Sequence, residues 1–328
     1  MREPSREWKE QVAPDEEARF RAYAEFFKGL QERKNARYGT GRALHRKGVL
    51  SLEGEFEVLD ALPAHARHGL FAKPGKHRAL IRLSNGSQNV QRDAVNDIRG
   101  FSFKVQGVEG PGALGGTATS QDFTLIQMET FSFPDAAQFV EFVKAATKGP
   151  AAIIGHFVKQ QGLFGGLKRV MALTKSVGRP FTGFASEDFY SAAPIAVGPY
   201  AAKVRLKRAR SEGSPSAKED LAGELKQQLA KGPLTWELQL QFFVDDALTP
   251  IERANVPWPQ EESPYVTVAR LTVGPQPLEG EAAAKRNEEA EKGKFDPWNA
   301  LAEHRPLGDV MRARKVTYYA SQQGRGAA

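Results

Sequence analysis

The sequence predicts an α+β protein built on an antiparallel β-barrel, with helices inserted into it and appended to it. Short runs of alternating apolar and polar residues recur along the 328-residue chain, and such alternation marks half-buried strands. The links between the early runs are too short for the helical crossovers that parallel pairing needs. Stretches with apolar spacing of three and four lie before, among and after the strands. No internal repeat or low-complexity linker divides the chain. One domain over 1–328 is therefore expected, with an N-terminal helical arm at 1–40, a barrel with helical insertions at 41–275 and C-terminal helices at 276–328.

Residues 15–34 start acidic and space Phe20, Tyr23, Phe26, Phe27 and Leu30 helically, which predicts a helix packed on the outside of the core. The first strand is 49–58, with Gly54 marking a bulge or a close backbone approach. A Pro-Gly turn at 73–76 precedes the second strand, 77–84, which ends at Asn85-Gly86. The third strand is 100–105. The glycine-rich stretch 107–116 lacks the strand-then-helix context of a phosphate cradle and reads as a loop. The fourth strand, 122–128, leads through Phe133-Pro134 into a helix at 136–144. Residues 151–184 are apolar, glycine-rich and lysine-bearing. They predict short amphipathic helices over a pocket or at a membrane surface, or more plainly helices packed on the barrel. Strands follow at 200–207, 235–244 and 266–273, with a helix at 218–230 led in by Ser214-Pro215-Ser216. A charged helix at 281–291 precedes a last helical run at 309–325.

With 41% hydrophobic and 26% charged residues, the composition is that of a soluble globular chain. The N-terminus has no apolar h-region and no run approaches membrane-spanning length, so the cytoplasm is the expected compartment and no transmembrane segment is expected. The absence of cysteine excludes disulfides, thiolate metal sites and cysteine nucleophiles. A net charge of +7 raises the question of nucleic acid. The basic residues are interspersed with acids and form no long block, so no nucleic-acid partner is expected, and the surplus reads as a bias toward anionic ligands, acidic lipids included.

In the last helical run, at about 100° per residue, Arg314, Tyr318 and Arg325 fall within roughly 40° of one another. One face then offers a phenol between two guanidiniums. A fixed cation favours the deprotonated form of a nearby acid, and a phenolate is a good ligand for ferric iron. Tyr319 lies about 100° round and lacks these partners. By itself such a face also describes ordinary packed surface. Among the six histidines, His65 and His68 form a His-x-x-His pair without a helical frame or acidic neighbours and read as a solvated loop. His77, His156 and His304 have no company that suggests catalysis. His45 differs, because it precedes the first strand, is flanked by Arg42, Arg46 and Lys47, and has Arg82 and Ser84 available on the second strand.

Five ordered stretches resemble the haem catalase family. They are Arg42-Ala43-Leu44-His45-Arg46-Lys47-Gly48, Arg82-Leu83-Ser84, Asn96-Asp97-Ile98-Arg99-Gly100-Phe101-Ser102-Phe103-Lys104, Phe133-Pro134, and the Arg314, Tyr318, Arg325 triplet. The resemblance implies haem b (iron protoporphyrin IX) as cofactor, with Tyr318 as the proximal iron ligand; tyrosine is the known haem ligand of catalases. It implies that Arg314 holds that ligand as phenolate, and that Arg42, Arg82 and Arg325 meet the propionates. On the opposite side His45 becomes the distal acid and base, oriented by Ser84, with Phe133 packed beside the haem.

The resemblance fails in two places. The asparagine amide that catalases hold over the iron is replaced in Thr119-Ser120-Gln121-Asp122 by Gln121, on a longer arm. Asn96 replaces the first arginine of the Arg-Asp-x-Arg-Gly-Phe signature. The sequence also starts close to the barrel and ends three residues after Arg325. It thus resembles the small catalase-related haem peroxidases, without the segments that interlock a tetramer, which leaves a homodimer open. The implied partners are hydrogen peroxide or an organic hydroperoxide and a small organic reductant. Fatty-acid hydroperoxide isomerase or peroxygenase, true catalase, and non-catalytic haem binding are the alternatives.

Overall fold

Each alternating run of the sequence becomes a strand, and the strands pair only with antiparallel neighbours. The computed structural model describes residues 1–214 and 216–327; Pro215 of the predicted lead-in lies outside the described residues. The chain opens with α1 (Glu16–Tyr38), one turn longer than predicted. Then come β1 (Gly48–Val58), β2 (Gly75–Asn85), β3 (Arg99–Pro111) and β4 (Thr117–Ile126). After α2 (Ala136–Lys148) and α3 (Pro150–Val177) the sheet resumes with β5 (Phe189–Tyr190), β6 (Ile195–Val197) and β7 (Tyr200–Lys207). Helix α4 (Leu221–Ala230), β8 (Leu234–Phe242), β9 (Tyr265–Val273), α5 (Gly280–Lys292) and α6 (Asp309–Gln323) complete it. In the nine-stranded sheet β5 bonds both β4 and β7, so eight strands close a barrel and β6 hangs on β7.

Strand parity decides what faces where, because successive side chains on a strand point to opposite sides. Ile81, Phe103 and Phe123 are register partners across β2, β3 and β4 and point into the barrel. Phe103 and Phe123 stack there with ring centres 4.9 Å apart. The next row, Arg82, Ser102 and Thr124, is likewise in register and lies on the outer face. Helices α1, α2 and α6 cover that outer face with a second apolar cluster that includes Phe20, Phe27, Leu30, Val140 and Ala313. Burying a Phe or Leu in such a cluster contributes about 2–3 kcal/mol each, enough to hold the helices over the sheet. The layer between sheet and helices is where the candidate site residues meet.

Several predicted boundaries shift for physical reasons. Half of the glycine-rich stretch expected as a loop is strand: β3 runs to Pro111 and β4 starts at Thr117, which leaves 112–116 as the turn. Gly110 serves close approach, since its Cβ would sit 2.9 Å from the Leu301 side chain, whereas Gly107, Gly115 and Gly116 take the positive φ that favours glycine. Gly54 is a close approach too, with Thr272 O 2.9 Å from where its Cβ would be. The 218–230 helix is split, because the Asp220 side chain accepts from Gly223 N at 2.9 Å and starts α4 afresh after a 3-10 turn. Strands β5 and β6 are two and three residues long, below what alternation can register. Helix α1 walls the interior layer as well as the outside. Helix α3 packs chiefly on α2, with the Phe142 and Phe157 rings 6.1 Å apart. It is two helices joined at Gly162, whose φ of 73° breaks the helical path. Among the described residues no helix is long and apolar enough to cross a membrane.

Candidate active site

Helix α6 is clamped before it reaches the site. Asp309 accepts from Ala136 N at 2.6 Å, and Arg312 forms ion pairs with Glu10 (2.8 Å), Glu16 (2.7 Å) and Glu252 (3.0 Å). Further on, Gln322 donates to Asp296 at 2.6 Å. These bonds fix the helix along its length, and Arg314 and Tyr318 project from it into a cavity between the helices and the outer face of the barrel. Arg314 donates to the Tyr318 hydroxyl at 2.5 Å and to the Thr124 hydroxyl at 2.7 Å. Gly324 caps the helix, so Arg325 follows in the terminal turn and is off the helical wheel on which it was predicted. It reaches the same cavity all the same.

The walls are apolar over most of their extent, with Tyr23 and Phe27 from α1, Phe131, Phe139 and Val140 around α2, and Phe295 and Val310. At one end Arg42, Arg82 and Arg325 converge on the C-terminus of α5. Glu291 takes Arg42 at 2.8 Å and Arg82 at 2.7 Å. Arg325 donates to the carbonyls of Glu291 and Lys292 at 3.1 Å and of Gly293 at 2.9 Å. A helix C-terminus carries partial negative charge, so this is a favourable seat for cations. One carboxylate does not balance three guanidiniums. Burial, then Arg82 and Arg325, pull the Arg42 guanidinium down to about 8 against the opposing Glu291 and Tyr318. The cluster is built for more negative charge than the protein supplies.

His45 lines the same cavity, held by its main chain, whose N–H donates to Gly86 O at 2.9 Å. Its φ of 51° is in the left-handed region, a strained setting of a kind found at functional positions. Nδ1 lies 3.0 Å from the hydroxyl of Ser84, which is itself buried. Arg82 donates to the His45 carbonyl at 3.0 Å. Burial first, and then Arg82, Arg314 and Arg42, push the imidazole down to about 3, so it is neutral at physiological pH.

Not every residue expected at the site reaches it. Arg42, His45, Arg82, Arg314, Tyr318 and Arg325 share the cavity, and Ser84 stands behind His45. Gln121 does not line it. It shares the parity of Phe123 and Leu125, on the face opposite Thr124, and its carbonyl oxygen accepts from Leu301 N at 2.9 Å. Phe133 is buried one layer back, packed at tilted angles on Phe139 and Phe142 with ring centres 5.7 and 5.0 Å away, while Phe131 and Phe139 form the wall. The sequence reading missed Thr124, Ser102 and Glu291. The parity of β3 and β4 would have found the first two, whereas nothing local to Glu291 marks it. Among the described residues no group of three or more His, Asp or Glu is placed to hold a metal ion, so a metal here would need a donor such as the Tyr318 phenol.

The donor set suits a haem: an apolar slot wide enough to bring helix and sheet residues together, a phenol paired with a guanidinium on one element, a neutral histidine on another, and surplus cations at one end for carboxylates. Residues 30–161 match the family model described as Catalase. No curated protein gives a significant match. Solved structures that resemble this one include catalase A from Saccharomyces cerevisiae, with TM-score 0.68 and 18% identity over 99% of this chain and 68% of that one. A fungal catalase gives 0.67 and 17% over 99% and 65%, and a bacterial catalase 0.64 and 15% over 99% and 63%. This chain spans about two thirds of the length of those catalases. The chain thus matches the Catalase family model over 30–161 and resembles the fold of these catalases over nearly all of its length.

Proposed function

We propose that the cavity binds haem b and that the protein is a haem peroxidase, reducing hydrogen peroxide or an organic hydroperoxide with electrons from a small organic donor. The observation that carries this is the meeting in one apolar-walled cavity of His45, the Arg314–Tyr318 pair and the cluster of Arg42, Arg82 and Arg325. Tyr318 would ligate the iron, with Arg314 donating to its oxygen. The arginine cluster would hold the propionates through charge-assisted hydrogen bonds. A tyrosinate-ligated haem, when bound, supplies the redox equivalents that break a peroxide O–O bond.

The chain's own part is proton handling and exclusion of water. Ser84 fixes the His45 ring through Nδ1. With Nδ1 carrying the hydrogen and donating to Ser84 Oγ, Nε2 is left as an acceptor. His45 then takes the proton of the hydroperoxide O–H on Nε2 and returns it to the departing oxygen, so the proton count closes. A histidine held near 3 in the company of three cations passes a proton on and does not retain it. The Phe27, Phe131 and Phe139 walls keep competing water out.

Gln121 bears on which peroxide chemistry is favoured. Disproportionation needs a second peroxide held by a distal amide, and the Gln121 side chain is bonded to Leu301 away from the cavity. This supports peroxidase over catalase. The apolar walls support a second reading, a fatty-acid hydroperoxide isomerase or peroxygenase. The test is reconstitution with haem and parallel assays of oxygen release, oxidation of a chromogenic donor, and products from a fatty-acid hydroperoxide. Donor oxidation well above oxygen release is expected, with Tyr318→Phe losing the Soret band or shifting it. A protein that stays colourless after haem addition would overturn the proposal, and rearrangement without a donor would favour the isomerase.

A further inference from the structure

Helix α3 is apolar on more sides than it buries. Of its 28 residues only Phe157 and Gly166 are buried. In the half beyond Gly162, Val170, Leu173 and Val177 lie on the inner side with Gly166. Leu163, Phe164, Leu167 and Met171 form a separate outward stripe at helical spacing. Phe164 is 87% exposed, Met171 72% and Leu163 58%. The Gly162 break places Phe164 at a convex corner. The two halves close tightly behind it, since a Cβ on Gly166 would lie 2.5 Å from Val158 N. A projecting apolar corner of this size is not the ordinary scatter of surface hydrophobics.

The charge of the molecule is gathered on the same segment. Between Glu141 and Glu187 the chain has seven lysines and arginines and no acid, which leaves 39 of the 46 Lys and Arg to balance the 39 Asp and Glu elsewhere. The interspersed charge read from composition therefore holds for the rest of the chain and fails here. Lys144 and Arg179 pair with Glu141 and Glu187, and Arg169 is turned inward onto Ser132 O and the Phe133 ring. Lys168 and Lys175 flank the outward stripe within roughly 40° of Phe164, and neither has an ion-pair partner among the described residues. Long lysine stems beside apolar side chains suit a surface that is apolar within and anionic at its face.

We propose that α3 docks the protein on anionic lipid bilayers as a monotopic surface helix, with Leu163, Phe164, Leu167 and Met171 entering the acyl boundary and Lys168 and Lys175 meeting the headgroups. A second copy of the chain fits less well, because it would bring the same uncompensated lysines face to face. The surface adjoins the cavity: α3 packs on α2, whose Phe139 and Val140 form part of the cavity wall.

The test is flotation of the full chain with vesicles of equal parts phosphatidylglycerol and phosphatidylcholine, against pure phosphatidylcholine, at low and high salt. Binding is expected only to the anionic vesicles, and high salt should weaken it. Phe164→Asp with Met171→Asp, and separately Lys168→Glu with Lys175→Glu, should each lower partitioning by about tenfold or more. Both pairs are exposed, so thermal unfolding should match wild type and show that folding is intact. Wild type that does not float with anionic vesicles, or two variant pairs that float as well as wild type, would overturn the proposal. A wild-type dimer that the aspartate pair splits, without vesicle binding, would reassign the stripe to a protein contact.

Discussion

His45 has its place because residue 100 has no side chain. A Cβ on Gly100 would lie 2.6 Å from His45 Nδ1 and 2.7 Å from Ser84 Oγ, through the middle of the bond that orients the ring. Gly100→Ala should therefore turn the imidazole while leaving the Tyr318 side intact. We expect haem affinity within a few-fold of wild type and peroxide turnover lower by about tenfold or more, measured by Soret titration and steady-state kinetics. Unchanged turnover would remove His45 orientation from the account. At this scale the sequence picked out residues that the fold brings together: Arg42, His45, Arg82, Arg314 and Tyr318 were named from the ordered resemblance and share one cavity. Gln121 was misleading because its reach is decided by strand parity, which a one-residue shift reverses. Thr124 was overlooked for the same reason.

Among the elements, α5 has a role that its charged, unremarkable sequence hides. Its last turn presents Glu291 and three carbonyl ends to the arginines that line the cavity, so it acts as a built-in counter-anion. Burial opposes the Glu291 charge, but Arg82, Arg42 and Arg325 prevail and hold the carboxyl below its usual range. Its stabilising contribution is thus present above the unfolded carboxylate range and is lost as pH falls through the lowered folded value. Its side chain is 43% exposed, so Glu291→Gln should cost only about 1–2 kcal/mol in the haem-free protein. The loss should be smaller with haem bound, since carboxylates on the ligand replace the missing charge. Urea unfolding with and without haem reads both values, and equal losses would show that Glu291 and the ligand do not share the arginines. The existence of the longer strands and helices was legible from periodicity, which depends on several repeats, although β3 was expected to stop at 105 and α3 was read as several short helices. The short β5 and β6, which complete the barrel and its edge, have too few residues to repeat anything.

For the whole molecule, the end of the barrel is tied by one neutral histidine. His304 is fully buried. Its Nε2 accepts from Leu70 N at 2.9 Å, and Nδ1 lies 3.2 Å from the Ala196 carbonyl, to which it donates. The bonds join the 3-10 turn at Gly69–Phe71 to β6 and to the turn before α6. Burial, with His68 nearby, brings the imidazole down to about 4 against the hydrogen bond to Ala196. Below the unfolded value of about 6.5 the unfolded chain takes up a proton that folded His304 refuses, so stability from this group falls as pH drops from about 6.5 to about 4, by up to roughly 1.4 kcal/mol per pH unit. Buried Asp122, which burial raises to about 6 although Lys104 lies 2.5 Å away, acts with the opposite sign over part of that range. The overall acid curve therefore mixes the two, and the informative quantity is a difference. His304→Gln has no titrating ring, so its stability deficit relative to wild type should shrink as pH falls from 6.5 to 4 and stay constant above 7. Chemical unfolding across that range measures it. A deficit that holds steady from pH 4 to 8 would mean that His304 keeps its proton state on unfolding, and the barrel's acid sensitivity would then have to arise at its carboxylates.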